Sequence, residues 1–174
     1  MSSALDLVSS GGYRSVTIES IAAKSGVAKT TIYRRWPNRA AVIMDAFLAR
    51  VGPPAPVDPD ESFIEGTRRE LRALAKAFRG EDGAVVRALL AECQFDAELA
   101  RAFLDRWMAP TRETALARLR AGVRQGAVRP DADLEAAVDL LYAPLYFQLQ
   151  LGAGGPSNAY VDALFDQAMR GLRP

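Results

Sequence analysis

The chain contains no histidine and a single cysteine, Cys93. Without histidine, the commonest metal ligand and the usual general base near neutral pH are both missing. A Ser-His-Asp or Cys-His catalytic apparatus is therefore excluded, and a zinc site would have to combine carboxylates with one thiolate. One thiol also rules out an intrachain disulfide. No apolar run approaches the roughly 18 residues that a membrane span requires, and no charged N-terminal segment leads into a signal-like apolar stretch. The expected location is the cytoplasm, with no membrane partner. Neither G-x-S-x-G nor a P-loop occurs, and the glycine-bearing stretch that starts at Gly152 follows no strand, as a dinucleotide fingerprint would. No enzymatic activity, cofactor or metal is expected.

What is present is an ordinary soluble composition: 174 residues, 49% hydrophobic and 25% charged, long enough for a substantial core. Apolar residues recur at helical spacing, and no segment alternates convincingly as a strand would. The expected class is all-α. Net charge is only +1, but residues 1–51 carry +4 and the remainder −3. Such asymmetry suits a molecule of which one part meets a polyanion.

The informative stretch is TIESIAAKSGVAKTTIYRRWPNR, Thr17 to Arg39. Thr17 is a plausible N-cap, and Ile18, Ile21 and Ala22 follow at helical spacing. Gly26 can adopt the left-handed conformation that ends a helix, so a turn of about three residues precedes a second helix near Ala28. In that second helix Ile32 and Trp36 share a face and, with Val27, are expected to pack on Ile21 and Ala22. Thr30 and Arg34 fall on the opposite side, flanked by Thr31 and Tyr33, with Lys29 in the exposed first turn. This is a helix-turn-helix with a basic, hydroxyl-bearing outer face. Lys29, Thr30 and Arg34 are candidates for contact with base edges; Thr17, Thr31, Tyr33 and Arg39 are candidates for phosphate. Pro37 breaks the helix, and Asn38 caps the next one.

These residues resemble the DNA-binding domain of TetR-type transcriptional regulators, whose pattern has Thr before an Ile-Ala helix, Gly-Val at the turn, then Tyr and an aromatic-Pro pair. The resemblance spans roughly residues 4–50 and rests on Thr17, Ala22, Gly26, Val27, Tyr33, Trp36 and Pro37. Ala28 stands where Ser is common and Arg39 where Lys is usual. The first helix, about Ala4 to Ser10, is shorter than the family's, with only Leu5 and Val8 to pack it.

Beyond Arg50 the proline-rich GPPAPVDPD, residues 52–60, reads as a linker. The expected division is therefore a helix-turn-helix domain at 1–51, the linker, and a larger helical domain at 61–174. Apolar stripes predict helices from about Glu61 to Arg79, through Val85 to Cys93, and through Leu99, Phe103 and Trp107, with Pro110 kinking or breaking the last. Asp133 reads as the N-cap of a helix over 134–151 that is apolar on two sides: Leu134, Val138, Leu141, Leu145 and Leu149 on one, Ala137, Leu140, Pro144, Phe147 and Leu151 on the other. A last helix runs from about Asn158 to Leu172.

A looser resemblance to the effector-binding half of the same family lies in RQGAVRPDADLEAAVDLLYAPLYFQL. It implies a four-helix dimer interface from the last two helices, for which Leu141, Leu145, Leu149, Val161, Leu164, Phe165 and Ala168 are the candidates. It also implies a pocket for a small hydrophobic ligand, with Phe78, Leu90, Cys93, Phe103, Trp107, Tyr142 and Tyr146 as candidate lining. The functional expectation is a repressor that leaves a double-stranded DNA operator when ligand binds its homodimer. The alternative is a helical interaction protein with weakened DNA binding.

Overall fold

The computed structural model describes residues 2–58, 60–152 and 154–174. Pro59 of the expected linker and Ala153 of the glycine-bearing stretch lie outside the described residues. Ten α-helices and no strand occur among the described residues: α1 (Ser2–Gly11), α2 (Ile18–Ser25), α3 (Lys29–Arg35), α4 (Arg39–Val51), α5 (Phe63–Arg79), α6 (Glu81–Glu92), α7 (Ala97–Phe103), α8 (Ala109–Arg124), α9 (Leu134–Gln150) and α10 (Asn158–Leu172). A 3₁₀ turn, Tyr13–Ser15, joins α1 to the motif, and a π-helical turn, Leu104–Met108, precedes α8. Pro110 follows directly on that π-helical turn, with Phe103, Leu104 and Ala109 all in right-handed helical backbone, so the helix departs from regular α geometry just before the proline and then continues as α8. No described helix is long and apolar enough to cross a membrane.

The chain divides into two compact units that do not follow sequence order: Met1–Pro53 with Ala84–Ala109, and Pro54–Gly83 with Pro110–Pro174. In the first, α1 and α7 pack on α4 while α2 packs on α1 and α3. Phe47 of α4 is fully buried, stacked on Phe103 at 6.2 Å and meeting Trp107 edge-on at 5.1 Å. Full burial of one such ring stabilises a fold by ~1.5–3 kcal/mol. Helix α1 buries Ala4, Leu5 and Val8, one residue more than the apolar spacing foretold.

In the second unit α5 and α9 pack on α10 and on each other. Leu71, Leu141, Leu145, Val161 and Phe165 have no exposed surface. The same unit holds a buried cation: the Arg118 guanidinium, its side chain 6% exposed, pairs with Glu70 at 2.7 Å and with Glu61 at 3.5 Å. Tyr142 donates its hydroxyl to Glu70 at 2.8 Å, and burial, followed by the Glu70 charge, raises its pKa well above the ordinary phenol value.

The expected interface residues lie mostly inside the protomer. Leu141, Leu145, Leu149, Val161, Phe165 and Ala168 are buried, and Leu164 is half-buried. Helix α9 is apolar on two sides, as its stripes require, and the outward side is the other one: Leu140, Phe147 and Leu151 are 49%, 60% and 61% exposed. The first stripe went inward because α5 and α10 cover it.

Candidate nucleic-acid interface

The motif is held by caps that its sequence dictates. The Thr17 hydroxyl accepts the Ser20 N–H at 3.0 Å, and Ser20 Oγ accepts the Thr17 N–H at 2.9 Å, a reciprocal capping box that satisfies two otherwise orphaned amides. Gly26, at φ 71°, sits in the left-handed region and donates its N–H to Ala22 O at 2.9 Å. Helix α3 then starts after Ala28, which has no side-chain acceptor for the first-turn amides. It stops at Arg35 because Pro37 pushes Trp36 into extended backbone, φ −130° and ψ 123°.

Only Ile32 of α3 is buried, so the helix turns its remaining face outward. Lys29, Thr30, Thr31, Tyr33 and Arg34 are all exposed along it, Tyr33 to 52%. The arrangement brings together the three candidate base-reading residues and two of the candidate phosphate residues. Thr17 is exposed as well, at the start of α2. Lys29 Nζ forms an ion pair with Glu19 Oε1 at 3.0 Å, both side chains being more than half exposed. That contact, led by the hydrogen bond from Lys29, holds the Glu19 carboxyl below its ordinary pKa.

One expectation needs correction. Val27 is 40% exposed instead of packed inward. It lines an open groove of about 450 Å³ with Ile21, Ile32, Trp36 and Val42, because the turn carries it past the end of the α2 apolar face. Arg39 is already engaged within the protein. Its guanidinium lies over the Tyr13 ring at 4.5 Å, donates to Val16 O at 3.3 Å and approaches Asp96 at 3.9 Å.

Arg39 belongs to a polar seam inside the first unit that sequence spacing did not reveal. Tyr13 donates its hydroxyl to Asp96 Oδ2 at 3.0 Å, and burial, then Asp96, raises its pKa above the ordinary value. Asp96 Oδ1 caps α7 at the Leu99 N–H, 3.0 Å. Asn38 caps α4 at Ala41 and donates its amide to Glu98 at 2.6 Å, while Arg14 pairs with Glu92 at 3.0 Å. On the other side of α4, Asp45 accepts the Trp36 indole N–H at 2.7 Å and pairs with Arg106. The α3–α4 corner is therefore tied at several points to residues 92–106. An Asp before an Ala-Glu-Leu run signals an N-cap, but nothing local says that its second oxygen meets a tyrosine 83 residues away.

The candidate pocket residues fall in both units. Leu90, Cys93, Phe103 and Trp107 belong to the first unit, and Phe78, Tyr142 and Tyr146 to the second. Phe103 and Trp107 surround Phe47, and Phe78 meets the Tyr146 ring edge-on at 4.9 Å. The Cys93 thiol is pushed up to about 11 by burial and by nearby Asp96, so it carries little thiolate near neutral pH.

A capped two-helix motif with a buried inner stripe and an outer face of lysine, threonines, tyrosine and arginine defines a helix-turn-helix DNA-binding regulator. The comparisons give the family. Residues 1–45 match the model described as bacterial regulatory proteins of the tetR family, and residues 59–168 match the tetracyclin repressor-like C-terminal domain. The chain is 32% identical to the HTH-type transcriptional regulator YdeS of Bacillus subtilis, over 99% of this chain and 87% of that one. It is 28% identical to the DNA-binding transcriptional repressor TetR of Mycobacteroides abscessus, over 95% of this chain and 87% of that one. The crystal structure of the TetR family regulator SCO0332 superposes with a TM-score of 0.76 at 31% identity, covering 98% and 94% of the two chains. This chain belongs to the TetR family of transcriptional regulators.

Proposed function

We propose that the protein is a cytoplasmic repressor that binds its operator as a homodimer and is released by a small hydrophobic ligand. The observation that carries the DNA-reading part is the exposure of Lys29, Thr30 and Arg34 on a helix anchored by buried Ile32. Repression is supported by the name of the Mycobacteroides abscessus relative. Dimerisation is supported by the outward stripe of α9, where Leu140, Ala143, Pro144 and Phe147 line an open apolar depression of about 520 Å³. A two-fold pairing would present two α3 helices to successive major grooves, ~34 Å apart.

The division into a DNA-reading domain at 1–51, a linker at 52–60 and an effector and dimerisation domain at 61–174 is part of the same proposal. The relay to DNA is helix α4, reached from residues 92–106 through Asp96, Glu98 and Arg106. A ligand preferring one arrangement of these contacts would change operator affinity by about 5- to 150-fold, a coupling of ~1–3 kcal/mol.

The test is selection of a duplex from a randomised pool, followed by fluorescence anisotropy with the selected and a scrambled duplex at two salt concentrations. Wild type is expected to prefer the selected duplex. Arg34→Ala is expected to lose ~1–3 kcal/mol of that preference while sedimenting as the same oligomer. Equal binding to both duplexes would favour the interaction-protein alternative. Operator affinity unchanged by every hydrophobic compound in a screen would remove the ligand-release part.

A further inference from the structure

We propose that Glu19 is a positioning residue for DNA reading, holding Lys29 in place for a base edge and discriminating against DNA bound through phosphates alone. The inference rests on the reading of Lys29 as a base-contacting residue. Glu19 lies in the first turn of α2 and Lys29 begins α3, so their 3.0 Å pair crosses the helix-turn-helix on its exposed side.

Stability does not explain the pair. Both side chains are more than half exposed, a setting in which ion pairs contribute little, and the α2 start is already secured by Thr17 and Ser20. What the pair does supply is a carboxylate on a surface that meets polyphosphate. Left alone, that charge would weaken binding to every sequence. Paired, it restrains the freely rotating Lys29 stem and keeps the ammonium from the nearest phosphate, the contact that non-specific binding uses. A guanine edge that presents O6 and N7 can draw Lys29 off Glu19; a backbone contact is less able to, because Glu19 repels the same phosphate.

The experiment compares wild type, Glu19→Gln, Lys29→Gln and the double variant on the selected and scrambled duplexes across a salt series. Glu19→Gln is expected to bind the scrambled duplex severalfold tighter, with a salt slope steeper by about one phosphate contact, and to lose preference for the selected duplex. In the Lys29→Gln background the same change is expected to leave the preference where it was. A preference unaltered by Glu19→Gln overturns the inference. So does an equal loss in both backgrounds, which would make Glu19 a direct repulsive charge acting without Lys29. If wild type enriches no duplex at all, there is no preference to compare, and the underlying reading of Lys29 falls first. Thermal melting of the exposed Gln variants at the wild-type temperature confirms that folding is not what changed.

Discussion

Asp96 accepts the hydroxyl of buried Tyr13 with one carboxylate oxygen and the first-turn amide of α7 with the other. A single side chain thus joins the corner leading into the DNA-reading motif to a helix from the middle of the chain. Tyr13→Phe removes one of these bonds and leaves Asp96 with Arg39 as its nearby partner. The expected cost is ~1–2 kcal/mol, seen as a lower urea midpoint with an unchanged slope. An unaltered midpoint would mean that the bond adds nothing.

The two stripes of α9 predict opposite phenotypes. Phe147→Glu, at an exposed position, is expected to give a folded monomer by sedimentation. Leu145→Ala, at a position with no exposed surface, is expected to lose ~2–5 kcal/mol of stability through the cavity it leaves. A stable Leu145→Ala monomer beside a dimeric Phe147→Glu would put the interface on the buried stripe.

Arg118 sits among α5, α8 and α9 side chains with Glu70 and Glu61 as its ionic partners. Arg118→Met leaves Glu70 and the Tyr142 hydroxyl without the compensating cation. The expected loss is about 3 kcal/mol, as for other buried pairs broken on one side. The double variant Arg118→Met/Glu70→Gln is expected to recover part of it, which a denaturation cycle would measure.

Asp45 gives a pH dependence with a definite sign. Burial alone would raise its pKa, but the Trp36 N–H and Arg106 outweigh it and hold the carboxyl below its ordinary value. The stability it contributes is therefore present above the usual carboxylate range, about pH 4, and is lost as pH falls through the lower folded value. Asp45→Asn is expected to flatten that part of the acid limb in melts between about pH 5 and 2. A wild-type acid limb in the variant would assign the dependence to other carboxylates.

By itself the sequence determined what depends on near neighbours. Thr17, Gly26, Asn38 and Asp133 mark helix ends through bonds to residues within four positions, and Pro37 by restricting the residue before it, so their roles are legible from spacing alone. The outward face of α3 is legible for the same reason, since a short amphipathic helix with one buried residue leaves little choice. Tertiary structure decided what depends on which surface another element covers. Helix α9 carries two apolar stripes of similar content, and only the packing of α5 and α10 sends Leu141, Leu145 and Leu149 inward and leaves Leu140, Phe147 and Leu151 outside. Likewise nothing near Arg39 in the sequence foretells its contacts with Tyr13 and Asp96, 26 residues before it and 57 after it. Periodicity reports which residues share a face; it carries no information about the partner that face will meet.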